Sequence, residues 1–121
     1  MFREVLQKAL EETDGCFGVL IMGIDGITVE KVWHPAGTET NLDVAVAEYA
    51  SLVRNINRAN SEMGLGRLQE ITLTSESGIF ILRFVSEDYF IAMVLSVDGN
   101  FGRGRYELRR AELLLEKELA I

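Results

Sequence analysis

Residues 68–119 read LQEITLTSESGIFILRFVSEDYFIAMVLSVDGNFGRGRYELRRAELLLEKEL. Three strand-like runs, Leu68–Thr74, Ile79–Val85 and Tyr89–Ser96, follow one another across short turns at Ser77-Gly78 and Ser86-Glu87-Asp88. A meander of this kind, closed by a helix-patterned run to the end, admits few folds. In Gln69–Thr74, Ile71 and Leu73 share one face and Glu70, Thr72 and Thr74 the other. Ile79–Val85 is apolar on both faces except for Arg83, and Tyr89–Leu95 is apolar on both.

Upstream, Phe2, Val5, Leu6, Ala9 and Leu10 recur at helical spacing, and Asp14-Gly15 ends that helix. Cys16–Gly23 is almost wholly apolar, Asp25-Gly26 is a hairpin signal, and Ile27–Trp33 alternates imperfectly. Ile27, Val29 and Lys31 fall on one side of it, with Thr28, Glu30 and Val32 on the other. Pro35 and Gly37 end this strand, and Thr38–Asn41 offers N-caps, with Thr40 and Asp43 spaced as in a capping box. Leu42–Met63 then has helical spacing. Leu42, Ala45, Val46, Tyr49, Leu52, Val53 and Ile56 predict its core face, and Val44, Ala47, Ala50 and Ser51 a second face of small residues.

Strands apolar on both faces belong in the middle of a covered sheet, and alternating strands at its edges. The chain is therefore expected to be one domain over residues 1–121, of α/β (α+β) class. Its five-stranded antiparallel sheet should have the order 2-1-5-4-3, with the terminal helices on one face and the central helix on the other. The edge at Gln69–Thr74 carries neither Pro nor Lys to block further pairing. With the small face of the central helix beside it, this edge predicts a homodimer. The interface would comprise Val44, Ala47, Ala50, Ser51, Gln69, Ile71 and Leu73.

A formal net charge of −7 argues against nucleic acid and anionic membrane as partners. No apolar run is long enough for membrane insertion. One cysteine, Cys16, precludes an intrachain disulfide and fits a cytoplasmic setting. His34 reads as a surface residue, and a single His and single Cys do not make a zinc site. No catalytic, cofactor or metal site is expected. The Gly99–Gly104 loop runs from strand to helix but lacks the Gly-Lys-Ser/Thr ending of a phosphate loop. Arg103, Arg105, Arg109 and Arg110 crowd the start of the last helix, against its dipole. Two readings fit them: local pairing, as of Glu107 with Arg110 or Arg109 with Glu112, or a basic surface for an acidic partner.

The element order, the Asp25-Gly26 turn, the stretch Leu65–Leu73 and the run Asn100-Phe101-Gly102 followed by Arg105–Ala111 together resemble the roadblock/dynein light chain family, in its bacterial MglB-like form. That resemblance implies dimers joined through the third strand and central helices, and a small Ras-like GTPase as partner. It implies a non-enzymatic regulator that modulates the partner's GTP hydrolysis or localisation. The alternative is a scaffold or adaptor dimer with no effect on hydrolysis; a small-molecule sensor is a third reading. The partner surface is expected on the exposed side of the central helix, at Glu48, Ser51, Arg54, Asn55 and Arg58. The sequence ends at Ile121 without the C-terminal tail of the MglB-like pattern, so no activity depending on such a tail is expected.

Overall fold

The computed structural model describes residues 1–35 and 42–119. The Thr38–Asn41 caps, Thr40 among them, and Gly37 lie outside the described residues. The elements are α1 (Phe2–Glu11), β1 (Cys16–Gly23), β2 (Thr28–Trp33), α2 (Leu42–Glu62), β3 (Glu70–Thr74), β4 (Ile79–Phe84), β5 (Tyr89–Leu95) and α3 (Phe101–Leu119). All strand pairs are antiparallel, in the order β2-β1-β5-β4-β3. The strand order predicted from burial is thus the one observed. No helix among the described residues is long and apolar enough to cross a membrane.

Alternation along the central strands separates two cores. Val19, Ile21, Ile81, Ile91, Met93 and Leu95 point to the face covered by α1 and α3, which supply Leu6, Ala9, Leu10, Leu108, Ala111 and Leu115. Leu20, Met22, Phe80, Leu82, Phe84, Phe90 and Ala92 point to the face covered by α2. Burying each such side chain contributes about 1.5–3 kcal/mol, so the two layers supply most of the drive to fold.

The β2 alternation is imperfect because of a bulge. Ile21 pairs with Glu30, but Met22 pairs with Thr28, so Val29 is the extra residue. Val29 is consequently exposed, while Val32 turns inward onto the α1/α3 core.

The Gly99–Gly104 loop is a packing device. Asn100 accepts from the Arg103 amide at 3.0 Å through its side chain, capping α3, and its own amide donates to Asp14 O at 2.9 Å. Gly15, at φ +82°, lies so close to Gly99 that a Cβ there would sit 2.5 Å from the Gly99 Cα. The turns before β1 and before α3 are therefore locked together.

The packing of α2 corrects the sequence expectation. Val46, Ala50 and Val53 face the sheet, and Ala50 is only 1% exposed. Leu52 and Ile56, expected in the core, are 58% and 43% exposed, and Ala45 is exposed as well. The reason is steric. The sheet already supplies Phe80, Phe84 and Phe90 to this layer, so the helix approaches with its small side chains and turns larger ones outward.

Candidate functional site

The outer edge of β3 is one half of the site. Ser75 N donates to Gly78 O at 2.8 Å and Phe84 N to Gln69 O at 3.0 Å. Antiparallel bonding alternates along a strand, so Gln69, Ile71, Leu73 and Ser75 bond inward to β4. Glu70, Thr72 and Thr74 therefore turn their backbone N–H and C=O groups outward, where no described strand pairs with them.

The other half is the flank of α2 above that edge. Tyr49 packs edge-to-face on Phe80, with ring centroids 4.9 Å apart. Ala45, Val46, Tyr49, Leu73, Ser75 and Phe80 are among the residues lining a pocket of about 140 Å³ between helix and hairpin. Ala45, Tyr49, Leu52, Ile56 and Ala59 run from this pocket along the helix, and Met63 follows in the turn just past its end, at alternating spacings of four and three. All but the half-buried Tyr49 are exposed. That spacing is the one by which a helix meets another helix.

The opposite flank of α2 faces the β1–β2 hairpin. A Cβ on Gly26 would lie 3.4 Å from Ala47, and the Arg54 guanidinium donates to Ile24 O. Val44 and Ser51, one turn either side of Ala47, share this flank and are exposed. The residues predicted as one dimer surface are thus divided. Gln69, Ile71 and Leu73 are on β3 or at its start; Val44, Ala47 and Ser51 are on the far flank of α2; Ala50 is beneath the helix. Of the predicted partner surface, Glu48, Asn55 and Arg58 are exposed, whereas Arg54 is engaged in holding the hairpin.

Edge strand β3 is anchored by charge. Arg83 bridges Glu70 at 3.1 Å and Glu112, the side chains being 13%, 16% and 13% exposed. Arg105 adds a 2.7 Å contact to Glu70, and Arg109 reaches Glu112 at 2.8 Å. Buried Glu107 sits between Arg103 at 2.7 Å and Arg110 at 3.6 Å. The four α3 arginines are therefore all ion-paired, Arg103, Arg109 and Arg110 locally within the helix and Arg105 with a strand. The pairing of Arg105 with Glu70 crosses 35 residues of sequence and is not legible from local spacing.

Cys16 is buried, its thiol donating to Gly18 O at 3.5 Å, and burial pushes that thiol up to about 12. Among the described residues, no group of three or more His, Cys, Asp or Glu side chains is placed to hold a metal ion. The residues missed from sequence were those of the apolar stripe. Their four-three spacing was the available signal, hidden because the core face of α2 is apolar too.

Solved structures match this chain over nearly its full length. MglC from Myxococcus xanthus is 35% identical, with 98% of each chain covered and a TM-score of 0.70. The gliding protein MglB from Thermus thermophilus is 20% identical, covering 96% of this chain and 86% of that one at a TM-score of 0.87. A Roadblock/LC7 domain from Streptomyces avermitilis is 11% identical, with 98% and 97% coverage and a TM-score of 0.84. The last two likenesses concern the fold alone. No family sequence profile matches the chain, and no curated protein does.

Proposed function

Because this chain belongs to the roadblock/dynein light chain family as a bacterial MglB-like member, we propose that it is a non-enzymatic homodimeric regulator. It binds a small Ras-like GTPase and modulates that partner's GTP hydrolysis or localisation. The observation that carries the dimer is the coincidence, on one flank, of an unpaired strand edge and an exposed apolar helix stripe. The GTPase is the partner that the family resemblance implies.

In this reading the GTPase holds nucleotide, magnesium and attacking water, and the dimer acts on its switch loops. A binder moves such a loop only by its differential affinity for two states. Shifting it from 1:99 to 99:1 takes about 5.5 kcal/mol. The outer side of α2, with Glu48, Asn55 and Arg58, stays clear when the β3 flank is covered and offers polar contacts to the partner. Arg54 acts indirectly, by holding the hairpin beside that surface.

The test is a pull-down of every Ras-like GTPase encoded by the same organism, loaded with GTP or GDP, followed by single-turnover hydrolysis of the one retained. Preference for one GTP-loaded partner and a changed hydrolysis rate are expected. Binding without a changed rate or location identifies the scaffold alternative. No preference for any loaded GTPase contradicts the proposal.

A further inference from the structure

The pocket beside Ala45 is open where the apolar stripe of α2 begins, and both lie above the free edge of β3. An occupant must answer two demands at once: backbone groups for the outward-facing Glu70, Thr72 and Thr74, and an apolar helix for the stripe. A second copy of this chain answers both by one operation. A two-fold axis perpendicular to the sheet sets β3 antiparallel to its equivalent and necessarily sets α2 antiparallel to its own equivalent. Capture of an isolated strand or an isolated helix would satisfy only one half.

Packing then selects the register of the two helices. Centring the axis on Leu52 places Ala45 opposite Ala59 of the second copy. Two small residues meet there, and the pocket stays open. Centring it between Tyr49 and Leu52 places Ala45 opposite Ile56 of the second copy, and Tyr49 opposite Leu52. At Ala45 large then meets small, as close packing requires. The pocket of about 140 Å³ is close to the roughly 150 Å³ that takes up one benzene-sized group. It suits one branched aliphatic side chain.

Resting on the homodimer reading above, we infer that the pocket between Ala45, Tyr49 and Leu73 is a knob socket for Ile56 of the second copy. Each copy thus completes the other's α2 layer once, so the dimer holds two such contacts, one at each end of the helix pair. The hydrophobic layer that is interrupted at Leu73, which is 40% exposed, becomes continuous across the two molecules.

Cysteine cross-linking of the full chain tests this, because the native Cys16 is buried. In one chain positions 45 and 56 are roughly 16 Å apart along the helix axis, too far for a disulfide, whose Cα atoms lie about 4.4–6.8 Å apart. The double variant A45C/I56C should therefore give a covalent dimer on mild oxidation, while A45C alone and I56C alone should not. Ile56→Ala should raise the dimer dissociation constant at least tenfold. A wild type that sediments as a dimer while the double variant fails to cross-link, or while I56C cross-links by itself, overturns the socket and leaves the homodimer standing. A wild type that sediments only as a monomer overturns both.

Discussion

Glu70 and Arg83 face each other across the β3–β4 ladder and join in an ion pair at 3.1 Å, with Arg83 also donating to Glu112 of α3. The pair ties an edge strand to the helix layer behind it. A strand held this way keeps a fixed edge for an incoming partner, although little apolar surface secures it.

Arg83→Leu removes the cation shared by two largely buried carboxylates. Arg105 and Arg109 still reach Glu70 and Glu112, so the loss should be about 2–3 kcal/mol, less than for a wholly orphaned charge. Arg105→Gln, whose side chain is half-exposed, should cost less than about 1 kcal/mol. Urea denaturation of both variants checks the order, and equal losses would mean that Arg83 has no central role.

Gly18 is covered by Trp33, and a Cβ there would fall 1.8 Å from the indole ring. Gly18→Ala should displace the ring and destabilise the protein by about 1–3 kcal/mol. Trp33 is the single tryptophan, and its Nε1 is buried with no hydrogen-bond partner among the described residues. Its emission should shift to the red as the indole reaches water. An unchanged spectrum would contradict this packing.

The Cys16 thiol should be inert to thiol reagents at pH 8 in the native protein and react on unfolding. Its proton is lost near 9.0 in the open chain and near 12 in the fold, because burial disfavours the thiolate. The unfolded state thus loses its proton first. This contribution to stability is intact below about pH 9 and falls as pH rises from there towards 12. Chemical denaturation across that range should show the decline, and rapid labelling of the folded protein would contradict the burial.

Thr72→Pro tests the free edge. The Thr72 amide points away from β4, so proline removes no internal ladder bond but blocks pairing with a second strand. The variant should be monomeric, with folding stability within about 1 kcal/mol of the dissociated wild type. Ile71→Pro, which removes an inward bond, should unfold the chain instead. Equal effects of the two would refute the assignment of outward groups.

Strand order was legible in the sequence because hairpin turns and two-sided apolar strands leave one arrangement. The α2 packing was not. Helical periodicity gives two apolar faces there, and residue size favours Leu52 and Ile56 for the core. Only the phenylalanines on β4 and β5, distant in sequence, decide that Ala50 goes inward. The same distance hid the partners of the α3 arginines, since Glu70 meets Arg105 only once the meander has formed. Arg83 stood out as the lone charge in an apolar strand, but its partners did not.

The most direct measurement is the mass of the unmodified chain by sedimentation equilibrium at tens of micromolar. Covering the β3 edge and the α2 stripe with a second copy predicts twice the chain mass of 13.5 kDa, falling to the single mass in Thr72→Pro. A wild type that stays at 13.5 kDa across that range would contradict the account.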